Sequence, residues 1–470
     1  MLPASPGIET EAMARLAERI RQRMGLDFPA GREPDLLRGL GVAASKLGAL
    51  EVDALVDTLL RTEWTTREKE VLAETLTVGE TYFFRDRALF NLLAQEELPR
   101  MLPRAAREGR PLRIWSAGCS SGEEPYSLAM VLEDLPAAHK TFLLASDINP
   151  AFLKKALEGV YGEWSFRDSP PGIKERFFTR EGSWYTLDPR VRLKVRFQLL
   201  NLAEACYPSV LTHTSHLDLI LCRNVLMYFA PETVAATLRR FHEALIEGGT
   251  LILGPSETFL AENAGFRLDN RGCCILLVKP PATAPAPAPL PDRIPAPAAA
   301  PGWVTSMVRV EPRPRARDAD GAIAAPAGRL AANGHDAPEM ARLARDLADQ
   351  GRLKDALYWS DQASAVRPDP SIEFLRAAIL LELDNPRAAE RLFRRVLFLD
   401  PGHIPARLEL GNLASGRGDV VEAERHYHAA LLALRDLPED QVLPDSGGVA
   451  AGALVSLVEA FFRESGSEHG

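Results

Sequence analysis

The middle of the chain alternates between short apolar runs and amphipathic segments. Apolar runs of strand length recur at 113–117, 142–146, 197–200, 217–222, 250–254 and 273–278. Segments with the period of an amphipathic helix lie between most of them, for example 123–133, 150–158 and 231–246. Apolar strands separated by helices are typical of a parallel sheet with helices on both faces. The pattern therefore predicts a doubly wound α/β fold from Arg113 to about Lys279.

One stretch within this region has a different period. Apolar and polar residues alternate one by one along 177–200, which is the pattern of a half-buried strand. No long helical segment interrupts this stretch. It predicts a small antiparallel insert before the parallel sheet resumes.

Residues 8–78 have the 3.6-residue period of helices, with Leu16 on the apolar face. Arg15, Arg19 and Arg23 recur on another face of the first helix. These arginines fit an ordinary solvated face, and they also fit a surface that steers an acidic partner. The sequence predicts an all-helical N-terminal domain and leaves the role of the arginines open.

The composition changes after Lys279. Nine prolines fall between 279 and 302, without apolar periodicity. Such a composition predicts an extended linker, which we assign to 280–333. A linker of this kind would separate the C-terminal residues from the rest of the chain.

The C-terminal segment 336–464 contains internal repeats. Ala356, Ala389 and Ala423 stand 33 and 34 residues apart, at equivalent places in three similar stretches. A repeat of this length resembles the tetratricopeptide repeat (TPR), whose helix pairs stack into a grooved solenoid. The repeats predict about three helical hairpins that bind a protein partner, either to recruit the chain or to fold back and block its active site.

Size, charge and cysteine content narrow the class of protein. A chain of 470 residues with 46% hydrophobic residues is long enough for two or three domains. A net charge of −9 argues against nucleic acid as a partner. The five cysteines lack metal-binding spacing and fit reduced thiols, so we expect a cytoplasmic protein without a metal site. No apolar run approaches the roughly 18 residues of a membrane span, so we expect no membrane insertion.

A glycine loop follows the first predicted strand. In the stretch RIWSAGCSSGEEPYSLA, Gly118 and Gly122 precede a helix that opens with Glu123 and Glu124. Their spacing is neither that of a dinucleotide-binding loop nor that of a phosphate-binding loop. Two glutamates would repel a pyrophosphate, although they also complement the helix dipole. The loop fits a cationic or amine-bearing ligand.

Asp147 ends the second predicted strand, at the edge where open α/β sheets bind ligands. A carboxylate there accepts hydrogen bonds from ribose hydroxyls, and Asp147 or Asn149 also fits the role of helix cap. A ribose, an amino group and a sulfonium without phosphate are the features of S-adenosylmethionine. This edge therefore predicts S-adenosylmethionine, with S-adenosylhomocysteine as its product, rather than a dinucleotide.

Five motifs together resemble the CheR-type chemotaxis receptor methyltransferases over residues 8–279. They are TVGETYFFRD, IWSAGCSSGEEPYSLA, ASDIN, NL and CRNVLMYF. The resemblance implies an N-terminal helical domain (8–78) and a class I, Rossmann-like methyltransferase domain (79–279) whose β-subdomain is the insert near 177–200. It implies a protein-glutamate O-methyltransferase that acts on the cytoplasmic helices of methyl-accepting chemotaxis receptors.

The resemblance also implies the residues that carry out this function. The cofactor contacts would be Thr81, Arg85, Glu123, Asp147, Asn201, Leu202, Arg223 and Asn224. The residues at the reaction centre would be Arg85, Asn224 and Tyr228. The chain departs from the family at Gly79, where asparagine is common, and at Pro255, where histidine is common.

Two alternatives remain open at this point. One is a signalling scaffold that binds the cofactor without turnover and uses the repeats as its working surface. The other is a methyltransferase for another substrate. The tetrapeptide common in base-methylating enzymes does not follow LDLIL, and a broad basic surface is not evident in the sequence. The presence of Glu123, of Asp147 and of the Arg223-Asn224 pair favours an active enzyme.

Overall fold

The computed structural model describes residues 10–29, 31–136, 140–261, 264–281 and 336–459. Most of the predicted linker 280–333 lies outside the described residues, as do the ends of the predicted terminal domains, 8–9 and 460–464. In the described ranges, no helix is both long and apolar enough to span a bilayer.

The N-terminal helices pack around one apolar core. They are α1 (Thr10–Met24), α2 (Glu33–Leu47), α3 (Val52–Arg61) and α4 (Thr66–Leu76). Leu16 and Leu40 are fully buried in this core. Helix α4 begins with a capping box, in which the Thr65 hydroxyl accepts from the Glu68 amide and the Glu68 carboxylate accepts from the Thr65 amide at 2.7 Å. The segment with a helical period thus forms a helical bundle, as the sequence predicts. The capping box determines where α4 begins.

The basic face of α1 is engaged within this bundle. Arg19 donates to three backbone carbonyls at the end of α3, at 2.6–2.7 Å. Arg23 forms an ion pair with Glu63. Both guanidinium groups lie over the ring of Trp64, 5.6 and 5.3 Å from its centroid. Two of the three arginines that fitted a docking surface therefore hold α1 against α3.

From Arg87 to Val278 the chain alternates between helices and strands. The elements in order are α5 (Arg87–Leu92), α6 (Leu98–Arg107), β1 (Leu112–Ala117), α7 (Glu123–Glu133), β2 (Thr141–Asp147), α8 (Pro150–Glu158), β3 (Val160–Gly162), α9 (Ile173–Phe177), β4 (Phe178–Glu181), β5 (Trp184–Leu187), α10 (Pro189–Arg192), β6 (Val195–Leu199), β7 (Leu217–Cys222), α11 (Pro231–Ala244), β8 (Leu245–Leu253), β9 (Arg267–Asn270) and β10 (Ile275–Val278). A π-helical turn, Leu93–Glu97, joins α5 to α6.

Among the described strands, seven form one sheet in the order β6-β2-β1-β7-β8-β10-β9. Strands β6, β2, β1, β7 and β8 are parallel, and β10 is antiparallel to both of its neighbours. Ile114 and Trp115, adjacent in β1, are buried in separate cores on the two faces of the sheet. The predicted Rossmann-like, mostly parallel fold is confirmed. The carboxyl ends of the five parallel strands meet at one edge.

The small antiparallel sheet begins earlier than predicted. It has the order β3-β5-β4 and starts at Val160 rather than near 177. The predicted insert ran to residue 200, but strand β6 belongs to the large sheet, as the apolar run at 197–200 predicted, with Val195 opposite Leu143. Strand β3 has three residues, too few to produce a detectable period.

The described C-terminal residues form three helical hairpins and a final helix. The helices are α12 (Ala337–Asp349), α13 (Leu353–Val366), α14 (Pro370–Glu382), α15 (Pro386–Leu399), α16 (Ile404–Gly416), α17 (Val420–Arg435) and α18 (Ala451–Glu459). Ala356, Ala389 and Ala423 are buried at equivalent places in the second helix of each hairpin. The hairpins and the residues up to Pro280 belong to one compact unit.

Candidate functional site

A cleft that is partly open to solvent runs along the carboxyl edge of the parallel strands. The loops after β1, β2, β6 and β7 line the cleft, together with the end of α1 and the segment between α4 and α5. Eight predicted site residues line it: Thr81, Arg85, Asp147, Asn201, Leu202, Arg223, Asn224 and Tyr228.

Two glycines allow the loop after β1 to pack closely. Gly118 has a φ of +77°, and a Cβ there would lie 2.4 Å from Val225 Cγ2. Gly122 has a φ of +91°, and a Cβ there would lie 2.8 Å from Ala156 Cβ. Only glycine fits both the left-handed backbone and the close approach at these positions. The result is a tight loop between β1 and α7.

Asp147, at the end of β2, fixes this loop. Its Oδ2 accepts from the Ser120 amide at 2.8 Å, and its Oδ1 accepts from the Asn149 amide at 2.9 Å. Burial raises the pKa of Asp147 to about 6, against the opposing effect of these backbone amides. Asn149 caps α8 through its own side chain, so that role does not fall to Asp147. The carboxylate keeps acceptor capacity beyond its two amide partners, on the wall of the cleft.

The two glutamates that open α7 have different surroundings. Glu123 is buried and accepts from the hydroxyls of two serines, Ser121 at 2.8 Å and Ser165 at 3.0 Å. It is not among the residues that line the cleft. Glu124 does line it, and pairs with Arg223 at 3.3 Å. The resemblance named Glu123 as a cofactor contact. In the structure, Glu124 is the glutamate that lines the cleft.

Arg223 is a buried, positively charged side chain that lines the cleft beside Glu124. Its side chain is 3% exposed, and its Nη1 donates to the backbone carbonyl of Arg85 at 2.9 Å. Asp86 lies 3.5 Å from its Nη2. The buried Nε has no hydrogen-bond partner among the described residues. A guanidinium group on the wall of a cleft fits a ligand that carries a carboxylate.

Arg85 approaches the cleft from the segment between α4 and α5. Its Nη1 donates to the backbone carbonyl of Glu80 at 2.7 Å, and its guanidinium lies 5.7 Å from the ring centroid of Tyr82. Thr81 lines the same wall. The two aromatic residues of the motif that precede Arg85, Phe83 and Phe84, are buried and anchor the segment.

Asn201 and Tyr228 connect the sheet edge to the N-terminal helices. The Asn201 side-chain amide donates to the backbone carbonyl of Arg23 at 2.8 Å, near the end of α1. The Asp27 amide donates to the backbone carbonyl of Tyr228 at 2.8 Å. These contacts fix α1 as one wall of the cleft, so the N-terminal bundle takes part in forming the site.

Glu257 is a functional residue whose role the sequence analysis missed. It is fully buried and accepts from three backbone amides, those of Asn224 at 2.7 Å, Gly254 at 2.9 Å and Met227 at 3.1 Å. Asn224 has a φ of +59°, a left-handed conformation that asparagine tolerates. Glu257 therefore holds the loop that presents Arg223 and Asn224. A glutamate four residues after the end of a buried apolar strand was the available signal.

Phe152 also lines the cleft, beside Gly79. A Cβ at position 79 would lie 2.5 Å from Phe152 Cζ. The ring thus occupies the space that a larger residue at 79 would need. Where the family commonly has an asparagine side chain at position 79, the ring of Phe152 fills the space beside Gly79 in this protein.

Comparison with known proteins places this chain among methyltransferases. Residues 79–271 match the family described as "CheR methyltransferase, SAM binding domain". The chain is 31% identical over 427 residues to the "Probable biofilm formation methyltransferase WspC" of Pseudomonas putida, which covers 89% of this chain and 97% of that protein. The protein of the same name from Pseudomonas aeruginosa is 29% identical over 424 residues, or 87% and 96% of the two chains. A "Chemotaxis protein methyltransferase" of Listeria monocytogenes is 37% identical over 185 residues, 39% of this chain and 67% of that one.

Proposed function

The chain belongs to the CheR methyltransferase family and uses S-adenosylmethionine, and from this premise we propose that it methylates glutamate side chains on the cytoplasmic helices of chemotaxis-type receptors. The names of its relatives, chemotaxis and biofilm-formation methyltransferases, support this substrate class. The activity would take place in the cytoplasm, where such helices are located.

The convergence of eight predicted residues on one cleft supports the cofactor site. Asp147 would accept from the ribose hydroxyls, and Glu124, in place of Glu123, would accept from the amino group. Arg223, which lines the cleft, would bind the carboxylate. The bound cofactor supplies a methyl group on a positively charged sulfonium. The residues present fit the ribose, the amino group and the carboxylate of this cofactor.

The cleft also suits a carboxylate acceptor. A glutamate side chain has a reference pKa of about 4.3, so it is ionised at pH 7 and needs no general base. Histidine is not among the described residues that line the cleft. The protein would contribute mainly by positioning the reactants, where effective molarities of about 10⁵–10⁸ M are attainable. Arg85 would orient the acceptor carboxylate, with Asn224 and Tyr228 on the wall of the cleft beside it.

Transfer of labelled methyl groups tests this proposal. The full-length protein would be incubated with methyl-labelled S-adenosylmethionine and the cytoplasmic fragments of candidate receptors. We expect label on the receptor that alkali releases as methanol, because carboxyl methyl esters are hydrolysed by base. The Asp147→Asn variant serves as the control for cofactor-dependent transfer.

The other outcomes identify the alternatives. Cofactor binding without transfer to any receptor would favour the scaffold function. Label that resists alkali would indicate a different acceptor group.

A further inference from the structure

The helical hairpins present carboxylates on one side. Asp349, Glu382 and Glu409 each belong to the first helix of a hairpin, α12, α14 and α16. Glu382 is completely buried, and Glu409 is 8% exposed. Buried carboxylates require partners, because an unpaired charge is costly to remove from water. We call the side formed by these three helices the inner face.

The partners of Glu382 and Glu409 are basic groups of the methyltransferase domain. Arg113, near the amino end of β1, lies with its Nη1 2.8 Å from Glu382 Oε2. Arg196 of β6 donates from Nη1 to Glu409 Oε2 at 3.0 Å and also pairs with the other oxygen. The ring of His213 lies between the two carboxylates, 3.3 Å from Glu382 and 3.8 Å from Glu409. Burial opposes ionisation of Glu409, but Arg196 and His213 outweigh it and lower its pKa to about 2.

The loop before β7 fills the rest of the inner face. Val210 is fully buried in an apolar cluster with residues of the first two hairpins, and its amide donates to Asp349 at 2.6 Å. Leu211 packs against the clusters of successive hairpins. The backbone of Gly351 approaches His216 so closely that a Cβ there would lie 1.4 Å from the ring. Apolar and charged contacts thus form one continuous interface.

We infer that the acidic inner face of the hairpins is a docking surface for the amino edge of this chain's own methyltransferase sheet. The hairpins are then a fixed part of the enzyme. The contact lies at the edge opposite the cofactor cleft, and the described hairpin residues do not line that cleft. The hairpins therefore neither hang free as a recruitment arm nor block the cofactor. A protein partner, as predicted from the repeats, would have to use their outer face.

Cutting the chain between the two parts tests this inference. A protease site would be inserted between residues 282 and 335 of the full-length protein, and the folded protein would then be cleaved. We expect both fragments to co-elute in size-exclusion chromatography at micromolar concentration and to stay together at 0.5–1 M salt, because buried pairs are weakly screened. Separation of the cleaved wild-type fragments under these conditions would overturn the inference.

Variants made in the full-length chain and then cleaved identify the contacts responsible. Glu382→Gln should weaken the association of the fragments at least tenfold, because it removes the carboxylate that pairs with the buried guanidinium group of Arg113. The double variant Arg113→Met/Glu382→Met should recover most of this loss, since similar-sized apolar residues replace the pair. Arg394→Met is the matched control. It removes the ion pairs of Arg394 with Glu390 on α15 and with Glu422 on α17, and it should leave the association of the fragments unchanged.

Binding of S-adenosylhomocysteine before cleavage shows that the sheet of each variant is folded. A Glu382→Gln protein that binds this ligand, and whose fragments associate as tightly as those of the Arg394→Met control, would also overturn the inference.

Discussion

Lowering the pH from 7 to 5 is expected to weaken the binding of S-adenosylhomocysteine through Asp147. Burial raises the pKa of this carboxyl group to about 6 in the ligand-free structure. The group is therefore mostly ionised at pH 7 and mostly protonated at pH 5. If the ribose hydroxyls bind only the ionised form, the dissociation constant rises about tenfold between these values, or about 1.4 kcal/mol.

The same pKa determines the sign of the effect on stability. Because the folded pKa lies above the unfolded value, the contribution of Asp147 is fully present below the unfolded pKa and is lost as the pH rises through about 6. Ligand binding favours the ionised form. The increase in melting temperature caused by S-adenosylhomocysteine should therefore grow from pH 5 to pH 7.

Calorimetric titration with S-adenosylhomocysteine at several pH values between 5 and 8 measures this dependence. The control is Asp147→Asn, which keeps the size of the side chain and removes its titration. This variant should bind more weakly at pH 7, by about 1–3 kcal/mol, because an amide group would oppose one of the backbone donors. Its affinity should not vary over this range. A wild-type affinity that is constant with pH, or a slope that persists in the variant, would refute the assignment of Asp147.

Three further substitutions test other parts of the site. Glu257→Gln should lower both turnover and cofactor affinity, the latter by about 1–3 kcal/mol, because an amide group would face one of three backbone donors; unchanged affinity in calorimetry would contradict this. Gly79→Ala should weaken cofactor binding because its Cβ would collide with Phe152, and adding Phe152→Leu should restore part of the affinity; equal binding by Gly79→Ala and wild type would argue against the steric reason. Arg85→Lys should reduce kcat more than cofactor affinity, because a point charge does not reproduce a forked contact; turnover at the wild-type level would mean that Arg85 has only a structural role.

The long elements of the fold were predictable because many residues contribute to each period. Helices α7 and α8 begin and end where the sequence predicts, at 123–133 and 150–158. Strand β3, with three residues, was missed because so short an element produces no period. Its absence from the prediction displaced the start of the antiparallel insert.

The sequence could not show which of the two adjacent glutamates, Glu123 or Glu124, lines the cleft. Consecutive side chains on a helix point in directions about 100° apart, so only one of Glu123 and Glu124 faces the cleft. Tertiary packing determines which glutamate faces the cleft, because hydrogen bonds from Ser121 and Ser165 hold Glu123 in the interior. Ser165 lies 42 residues from Glu123 in the chain, and no local pattern links them.

The sequence also could not show where the hairpins contact the methyltransferase domain. An arginine at position 113, at the start of an apolar strand, signals that a counter-charge is needed, because charged groups are rarely buried alone. The sequence does not show which carboxylate supplies it. Glu382 lies 269 residues from Arg113 in the chain, and no local pattern links the two.

Mass-spectrometric mapping of the modified acceptor tests the central claim most directly. A receptor cytoplasmic fragment would be incubated with the full-length protein and S-adenosylmethionine, digested, and sequenced before and after treatment with alkali. We predict added methyl groups on glutamate residues of the receptor helices, all removed by alkali. Methylation of another residue type, or an unmodified receptor in the presence of a protein that binds the cofactor, would contradict the proposed function.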